Sequence, residues 1–139
     1  MRYTSEDLEC CCFWRDWRER LMPDRKRLTK KERQAVFDRM KGHCAYCGCE
    51  ITLSEMQVDH VMPLRKGGPD TLENMLPACR SCNHYKSTLT VQQFRDTVER
   101  MPYRLMKNNA TFRNAVRFGL ASSNPHNVIF FFELMEGQK

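Results

Sequence analysis

Two pairs of cysteines are the feature that most constrains how this 139-residue chain can fold. Cys44 and Cys47 form the first Cys-x-x-Cys pair, and Cys79 and Cys82 form the second. Four thiolates at this spacing predict one structural Zn²⁺, held tetrahedrally with each sulfur about 2.3 Å from the metal. A simple zinc ribbon separates its pairs by roughly 15–20 residues, whereas 31 residues lie between these two pairs. The cysteines therefore predict a small zinc-tied fold with a long insert.

The insert and the residues just after it carry side chains that sulfur chemistry does not explain. Asp59 and His60 are adjacent, and Asn74 and Asn83 follow them. Carboxylate and carboxamide oxygens suit Mg²⁺ or Mn²⁺, and an imidazole can accept a proton near neutral pH. Because Zn²⁺ prefers the sulfurs, we expect these groups to serve a second, catalytic ion. Neighbours in a regular strand point to opposite faces, so Asp59 and His60 meet one ion only at a strand edge or on irregular backbone.

Hydrophobic periodicity, capping signals and breakers predict an α+β fold with a β-β-α centre. The predicted elements are, in chain order, helices over 4–22 and 29–41, strands over 57–62 and 75–78, helices over 81–87, 90–101 and 111–118, and a strand over 128–134. Capping boxes begin the helices at Thr29 and Thr90, and Pro102 is expected to end the helix that precedes it. The last strand is apolar on both faces, which favours burial or pairing at an interface.

The central segment, residues 44–86, resembles the HNH endonucleases of the ββα-metal class. The resemblance depends on Cys44-x-x-Cys47, Val58-Asp59-His60, Pro63, Gly67-Gly68, Asn74 and Cys79-x-x-Cys82-Asn83-x-x-Lys86. It implies a ββα-metal core with zinc knuckles, flanked by N-terminal and C-terminal helices and the C-terminal strand. On this basis residues 1–41 form a basic helical extension and residues 42–89 the nuclease core. Residues 90–139 then pack on the core or form a dimer surface.

The resemblance also implies roles for individual residues. His60 would be the general base, and Asp59 and Asn83 would hold one Mg²⁺, or another divalent ion such as Mn²⁺, for catalysis. Asn74 would bond the backbone near His60 and hold the loop. The adjacent His84 is an alternative to Asn83 as metal ligand, although the spacing to the lysine at 86 favours Asn83. The residues expected to contact DNA phosphates are Arg65, Lys66, Arg80, His84 and Lys86. Each of them, taken alone, would more often be a solvent-exposed surface charge.

Charge and cysteine usage indicate the partners and the compartment. Residues 15–41 hold eleven Lys or Arg and five Asp or Glu, which accounts for a net charge of +6. A clustered basic segment is typical of a protein that binds a polyanion such as DNA, although a solvated helix face is the alternative. No signal peptide is evident, and the apolar run 128–132 is too short to span a bilayer. We therefore expect a reduced, cytoplasmic protein with no membrane partner.

The remaining cysteines and the competing functions complete the sequence-based picture. Cys10, Cys11 and Cys12 are interpreted as partly buried small residues, and Cys49 has no assigned role. The favoured function is a metal-dependent DNA endonuclease. A non-catalytic, zinc-stabilised DNA-binding module is the main alternative, and a thiol-disulfide oxidoreductase is a weaker one. Small proteins of this type resemble those of phages and prophages, so phage packaging proteins and a second copy of the chain are expected partners in a bacterial cytoplasm, with homing and restriction as other settings.

Overall fold

The computed structural model describes residues 27–123 and 127–137. The helix predicted over 4–22, the three cysteines at 10–12 and the first part of the basic segment lie outside these ranges. The helices are α1 (Lys30–Asp38), α2 (Arg80–Lys86), α3 (Val91–Glu99), α4 (Met101–Asn108), α5 (Ala110–Arg117) and α6 (Phe131–Glu136). The strands are β1 (Gln57–His60) and β2 (Met75–Ala78). No helix in the described ranges is long and apolar enough to cross a membrane.

The centre is a two-stranded antiparallel hairpin followed by a short helix. β1 pairs with β2 so that Gln57 lies opposite Ala78 and His60 lies opposite Met75. Every residue of β2 is buried, and α2 packs against β1. The α+β class and the ββα core predicted from the sequence are therefore confirmed, with β1 ending at His60 rather than at residue 62.

Helix α1 covers the other side of β2. It begins at the predicted capping box, in which the Thr29 hydroxyl accepts from the backbone of Glu32 and the Glu32 carboxylate accepts from the Thr29 amide. Arg39 donates to the carbonyl oxygens of Leu72 and Met75 at 2.8 and 2.6 Å. Arg33 holds the carbonyls of residues 53 and 56 in the same way. Part of the basic segment therefore stabilises the fold, because these guanidinium groups satisfy backbone acceptors.

The helices after residue 90 follow the predicted pattern with one correction. α3 begins at the predicted capping box of Thr90 and Gln93. The prediction that Pro102 ends the helix beginning at Thr90 is wrong. α3 ends at Glu99, and Pro102 lies in the first turn of α4. A proline is tolerated there because the first amides of a helix have no intrahelical acceptor.

The strand predicted over 128–134 is wrong, because this segment is extended only to Phe130 and then forms α6. The Phe130 amide donates to the Glu133 carboxylate at 2.8 Å, which caps the first turn of the helix. Backbone pairing still occurs at the start of the segment, where the amides of Phe131 and Phe132 donate to the carbonyls of residues 46 and 45. A short apolar run does not distinguish a buried strand from a buried helix, and the local cap decides between them here.

An aromatic cluster joins the C-terminal helices to the centre. The rings of Phe94 and Phe130 stack with centroids 5.3 Å apart, and Tyr46 meets both rings edge-on at 5.4 and 5.3 Å. All three side chains are buried, and Cys44 and Ala78 complete this part of the core. The contacts fix Tyr46, which lies inside the first cysteine pair, and so connect the packing of the core to both sites described next.

Candidate metal centre and active-site cleft

Five cysteine side chains gather where the two predicted pairs meet. The sulfurs of Cys44, Cys47, Cys49 and Cys79 all lie within 4.8 Å of one another. The Cys47 and Cys79 sulfurs are 3.9 Å apart, close to the separation of about 3.8 Å that tetrahedral zinc with 2.3 Å bonds requires. The Cys82 thiol interacts with those of Cys44 and Cys47. The cysteines are free thiols, so the cluster fits a structural Zn²⁺.

The backbone of two turns places these sulfurs. The Gly48 amide donates to the Cys44 carbonyl at 2.9 Å, and the Cys44 amide donates to the Cys49 carbonyl at 2.8 Å. Gly48 has a φ of +73°, which closes the turn at little cost in a residue without a Cβ. Cys79 is the N-cap of α2, and its sulfur accepts from the Cys82 amide at 3.4 Å. Turn and cap geometry therefore direct both pairs to one point.

The cluster stabilises negative charge on sulfur. The pKa of Cys44 is lowered to about 4, chiefly by its hydrogen bond with the Cys82 thiol, and nearby backbone amides add to the effect. The pKa of Cys82 is raised by the same hydrogen bond and by burial. The Cys44 thiolate thus accepts a hydrogen bond from the protonated Cys82 thiol. The thiolate is the form of cysteine that binds zinc.

A cleft of ≈ 390 Å³ runs beside β1 and α2. Its lining residues are Val58, Asp59, His60, Pro63, Leu64, Arg65, Asn83, His84, Ser87 and Thr88. The structure thus places three of the sequence-predicted site residues, at positions 59, 60 and 83, around one cavity. Both strand residues pair regularly with β2. The backbone is therefore regular here, so an ion shared by Asp59 and His60 would have to lie near the edge of β1.

Asp59 is held by two side chains that the sequence did not associate with it. Its Oδ2 accepts from the Tyr46 hydroxyl at 2.5 Å and lies 2.7 Å from the Lys86 ammonium. The carboxylate is only 5% exposed, so this buried charge needs both partners. Burial and the neighbouring Asp59 charge raise the pKa of Tyr46, which keeps the phenol protonated as a donor. Both contacts use Oδ2, and Oδ1 is the oxygen that can serve the cleft.

The expectation that Lys86 contacts DNA is corrected by its burial. Its side chain has no exposed surface, and its ammonium also donates to the His60 carbonyl at 2.7 Å. A lysine in this position neutralises Asp59 and ties α2 to the end of β1. The sequence signal was ambiguous because spacing identifies a lysine on a helix but does not say whether it turns inward.

His60 has an acidic partner that sequence reasoning missed. Its Nε2 lies 2.8 Å from Oδ1 of Asp70, which belongs to the loop that joins β1 to β2. A carboxylate only accepts, so Nε2 carries the proton and Nδ1 has the free lone pair. The sequence analysis gave Asp70 no role, because no local signal connects it with a residue ten positions earlier.

Asn74 and Gly68 shape the same loop. The Asn74 side chain accepts from the Met62 amide at 2.9 Å and donates to the Met62 and Pro69 carbonyls at 2.9 and 2.8 Å. These are the kind of backbone contacts near His60 that the sequence led us to expect of Asn74. A Cβ at Gly68 would lie 2.0 Å from the Met62 carbonyl oxygen, so only glycine fits beside this backbone.

The other residues predicted to bind DNA differ in position. Arg65 and His84 line the cleft, while Arg80 is exposed at the start of α2. Lys66 donates to the side chain of Gln93 in α3. His84 is exposed beside the half-buried Asn83, so both candidates for the second metal ligand face the same cavity.

The donors in the cleft fit a hard divalent ion. A carboxylate and a carboxamide oxygen, open to water on one side, match the ligands that Mg²⁺ and Mn²⁺ prefer. Asp59 supplies the carboxylate, and Asn83 supplies the amide. The soft sulfur cluster and the hard oxygen cleft are separate sets of side chains, as expected for two ions with different functions.

The central segment of the chain is similar to known proteins. The family model for HNH endonuclease matches residues 44–88. A CRISPR-associated endonuclease Cas9 from Corynebacterium diphtheriae is 41% identical over 55 residues, which are 39% of this chain and 5% of that protein. The crystal structure of the Type II-C Cas9 enzyme from Actinomyces naeslundii aligns with this chain at a TM-score of 0.45 and 18% identity. The alignment covers 86% of this chain and 15% of that enzyme. The HNH assignment is confirmed for the matched segment, and the chain spans a small fraction of these relatives.

Proposed function

We propose that this chain is a metal-dependent endonuclease that hydrolyses DNA phosphodiester bonds in the cleft beside β1. The observation that carries the proposal is that Asp59, His60 and Asn83 line one cavity in a segment that matches the HNH endonucleases. Phosphodiester hydrolysis needs a base for water, a cation near the phosphate and a dry, shaped site. The cleft offers groups suited to each of these needs.

His60 is the proposed general base. Asp70 accepts from Nε2–H and fixes the tautomer, so Nδ1 takes the proton from the attacking water. The new oxygen–phosphorus bond forms in line with the bond between phosphorus and the 3′ oxygen, and that second bond breaks. The 3′ oxygen leaves and gains a proton from solvent to become a hydroxyl. The products are a 5′-phosphate and a 3′-hydroxyl end.

Asp59 and Asn83 are the proposed ligands of one Mg²⁺ or Mn²⁺. When bound, such an ion would stabilise negative charge on the phosphate oxygens and on the leaving oxygen. Tyr46 and Lys86 fix the orientation of Asp59 from behind, and Asn74 holds the loop that carries Asp70. Ligand and base are therefore positioned before DNA binds, as electrostatic preorganisation requires.

Arg65, His84, Arg80 and Lys66 are proposed to contact the phosphate backbone. The first two line the cleft, and Arg80 is exposed at its flank. Contacts to phosphates position a protein on DNA but do not read sequence. A structural Zn²⁺ in the cysteine cluster would hold α2 against the hairpin. A homodimer, phage packaging partners and a bacterial cytoplasmic location stay predictions.

Cleavage of supercoiled plasmid with Mg²⁺ or Mn²⁺ tests the proposal. We expect wild type to nick or linearise the plasmid, and His60→Ala to lose at least about 100-fold in rate because the base is gone. His43→Gln is the matched control, since His43 stacks on Phe131 outside the cleft. Thermal melts of both variants should match wild type.

The same assay addresses the non-catalytic alternative. A zinc-stabilised DNA-binding module would shift plasmid in a gel without cutting it, whether or not a divalent ion is present. Full cleavage by His60→Ala would remove His60 from the mechanism. Binding without cleavage by the wild type would overturn the endonuclease proposal and favour the binding module.

A further inference from the structure

The cysteine cluster contains one more thiol than a tetrahedral zinc site can use. The sequence pattern selects Cys44, Cys47, Cys79 and Cys82, whereas the four sulfurs found mutually close are those of Cys44, Cys47, Cys49 and Cys79. Three cysteines belong to both sets. We propose that Cys49 is an alternative fourth ligand of the zinc and that it exchanges with Cys82 while the three shared cysteines stay bound.

Geometry brings Cys49 to the metal site without any rearrangement of the backbone. The Cys44 amide bonds the Cys49 carbonyl, and the Gly48 amide bonds the Cys44 carbonyl, so the first cysteine pair and Cys49 form one closed turn. The Cys49 sulfur lies within 4.8 Å of three shared ligands. That upper limit is about 1 Å more than the sulfur spacing around bound zinc, so a change of side-chain rotamer is enough to close any remaining gap.

Cys82 contacts two members of the shared set from helix α2. It lies in the first turn of α2, and its thiol interacts with those of Cys44 and Cys47. Cys49 is exposed and Cys82 is half-buried. Both therefore border the sulfurs of Cys44 and Cys47, Cys49 from the turn and Cys82 from the helix. With Cys79 as the third shared ligand, either one is positioned to be the fourth.

The exchange conserves charge and atoms. With zinc bound, the Cys82 sulfur would leave as the Cys49 sulfur takes its place. The Cys49 thiol would give up its proton on binding, and the released Cys82 thiolate would take one up, with water carrying the proton between them. The number of bound thiolates would be the same before and after, so no oxidant or reductant is needed.

Metal substitution with single and double serine variants tests this ligand exchange. After cobalt replaces zinc, the intensity of the sulfur-to-metal absorption counts bound thiolates. We expect Cys49→Ser and Cys82→Ser each to bind one metal with a four-thiolate spectrum. The double variant should show fewer than four thiolates. Cys44→Ser removes a shared ligand, so it should also fail to give the four-thiolate spectrum even with both exchanging cysteines present.

The rate of zinc transfer to a chromophoric chelator gives a second readout. Loss of an outer-shell partner alone weakens metal affinity by about 10–100-fold, and loss of a true ligand should exceed this. We expect Cys82→Ser to stay close to wild type and the double variant to release zinc more than about 100-fold faster than either single variant. A Cys82→Ser protein that matches the double variant in both spectrum and rate would overturn the proposal.

Alkylation of the zinc-loaded wild type keeps the proposal testable if Cys82→Ser does not fold. Alkylation of Cys49 or Cys82 traps the other on the metal, so peptide mapping should find chains labelled at one or the other but not at both. Complete labelling of Cys49 with none at Cys82 would show a fixed ligand set and refute the exchange. A wild-type chain without bound zinc would overturn the exchange and the zinc site together, whereas plasmid cleavage is a separate measurement.

Discussion

The cysteine cluster and the cleft are held together in different ways. In the cluster, backbone turns place the ligands, and the sulfurs lie against one another. In the cleft, each important group depends on a partner from elsewhere in the chain, as Asp59 depends on Lys86 and His60 depends on Asp70. Each cysteine pair is therefore shaped by its own turn or helix cap, although the two pairs meet only once the hairpin has formed. The cleft residues have no such local placement and depend on side chains from other parts of the chain.

Tyr46 connects these two regions. It lies between two cysteines of the first pair, packs against Phe94 and Phe130, and donates to Asp59 across the hairpin. A change in the cluster is therefore expected to reach the cleft through this side chain. The reverse need not hold, since the turns of the cluster do not use any cleft residue.

Loss of a shared cysteine is the change with the largest expected effect. Cys79→Ser removes a sulfur that belongs to both four-cysteine sets, and structural zinc contributes on the order of 10–16 kcal/mol in small modules. That is comparable to the whole stability of a typical domain, about 5–15 kcal/mol, so the centre should unfold. Circular dichroism melts with parallel zinc analysis measure this.

Chelation of the wild type provides the control for that variant. Removal of zinc should reproduce the melt of Cys79→Ser, because both remove the same tie between α2 and the hairpin. A cooperative transition like that of the untreated wild type, in either sample, would show that the cluster does not stabilise the fold. The two regions would then be independent of each other, contrary to the arrangement around Tyr46.

Removal of the buried ammonium is the next largest change, and it acts on the cleft alone. Lys86→Met leaves the Asp59 carboxylate buried with only the tyrosine as partner, which should cost about 3–5 kcal/mol of unfolding free energy. Urea denaturation measures the loss, and zinc content should stay at the wild-type value.

Two further variants make that result interpretable. Lys31→Met on the exposed face of α1 should change stability by no more than about 0.5 kcal/mol. Asp59→Asn combined with Lys86→Met should recover part of the loss, since the uncompensated charge is gone. Equal stability of Lys86→Met and wild type would mean that the ion pair does not support the cleft.

The sequence was sufficient for the parts of this molecule that depend on local rules. Capping boxes at Thr29 and Thr90 appear as predicted because a side chain three residues away decides them. The β-β-α order followed from breakers and apolar runs. The cysteine pairs predicted a metal cluster because ligand spacing is a local property, although spacing alone did not show that Cys49 would also reach it.

Features that depend on packing could not be predicted in the same way. The partnership of His60 with Asp70 requires the loop between the strands to fold back. The inward turn of Lys86 requires a buried carboxylate to meet it. The C-terminal apolar segment was misread as a strand because its helical start depends on Glu133 capping Phe130. The first two cases need a tertiary contact that periodicity does not encode, whereas the third depends on a local cap that the sequence analysis did not identify.

The smallest predicted change tests the link between the two regions. Tyr46→Phe removes one hydrogen bond to a charged acceptor, which costs about 2 kcal/mol near neutral pH. In the wild type, burial raises the pKa of the Tyr46 phenol most, and the Asp59 charge raises it further. The stability that comes from the protonated phenol is therefore complete below the ordinary tyrosine pKa of about 10 and is lost as pH rises above it.

Alkaline titration of stability separates this effect from a simple loss of packing. Above pH 10 the unfolded wild type gives up the Tyr46 proton while the folded protein keeps it, so the wild type should lose up to about 1.4 kcal/mol per pH unit through this group. Tyr46→Phe lacks that loss, and the gap between the two proteins should narrow between pH 10 and 11. Tyr103→Phe is the matched control, since Tyr103 is 70% exposed and its removal should leave the pH dependence unchanged. A constant gap for Tyr46→Phe would mean that the phenol ionises as readily in the folded protein as in the unfolded chain, and that burial against Asp59 does not join the cluster to the cleft.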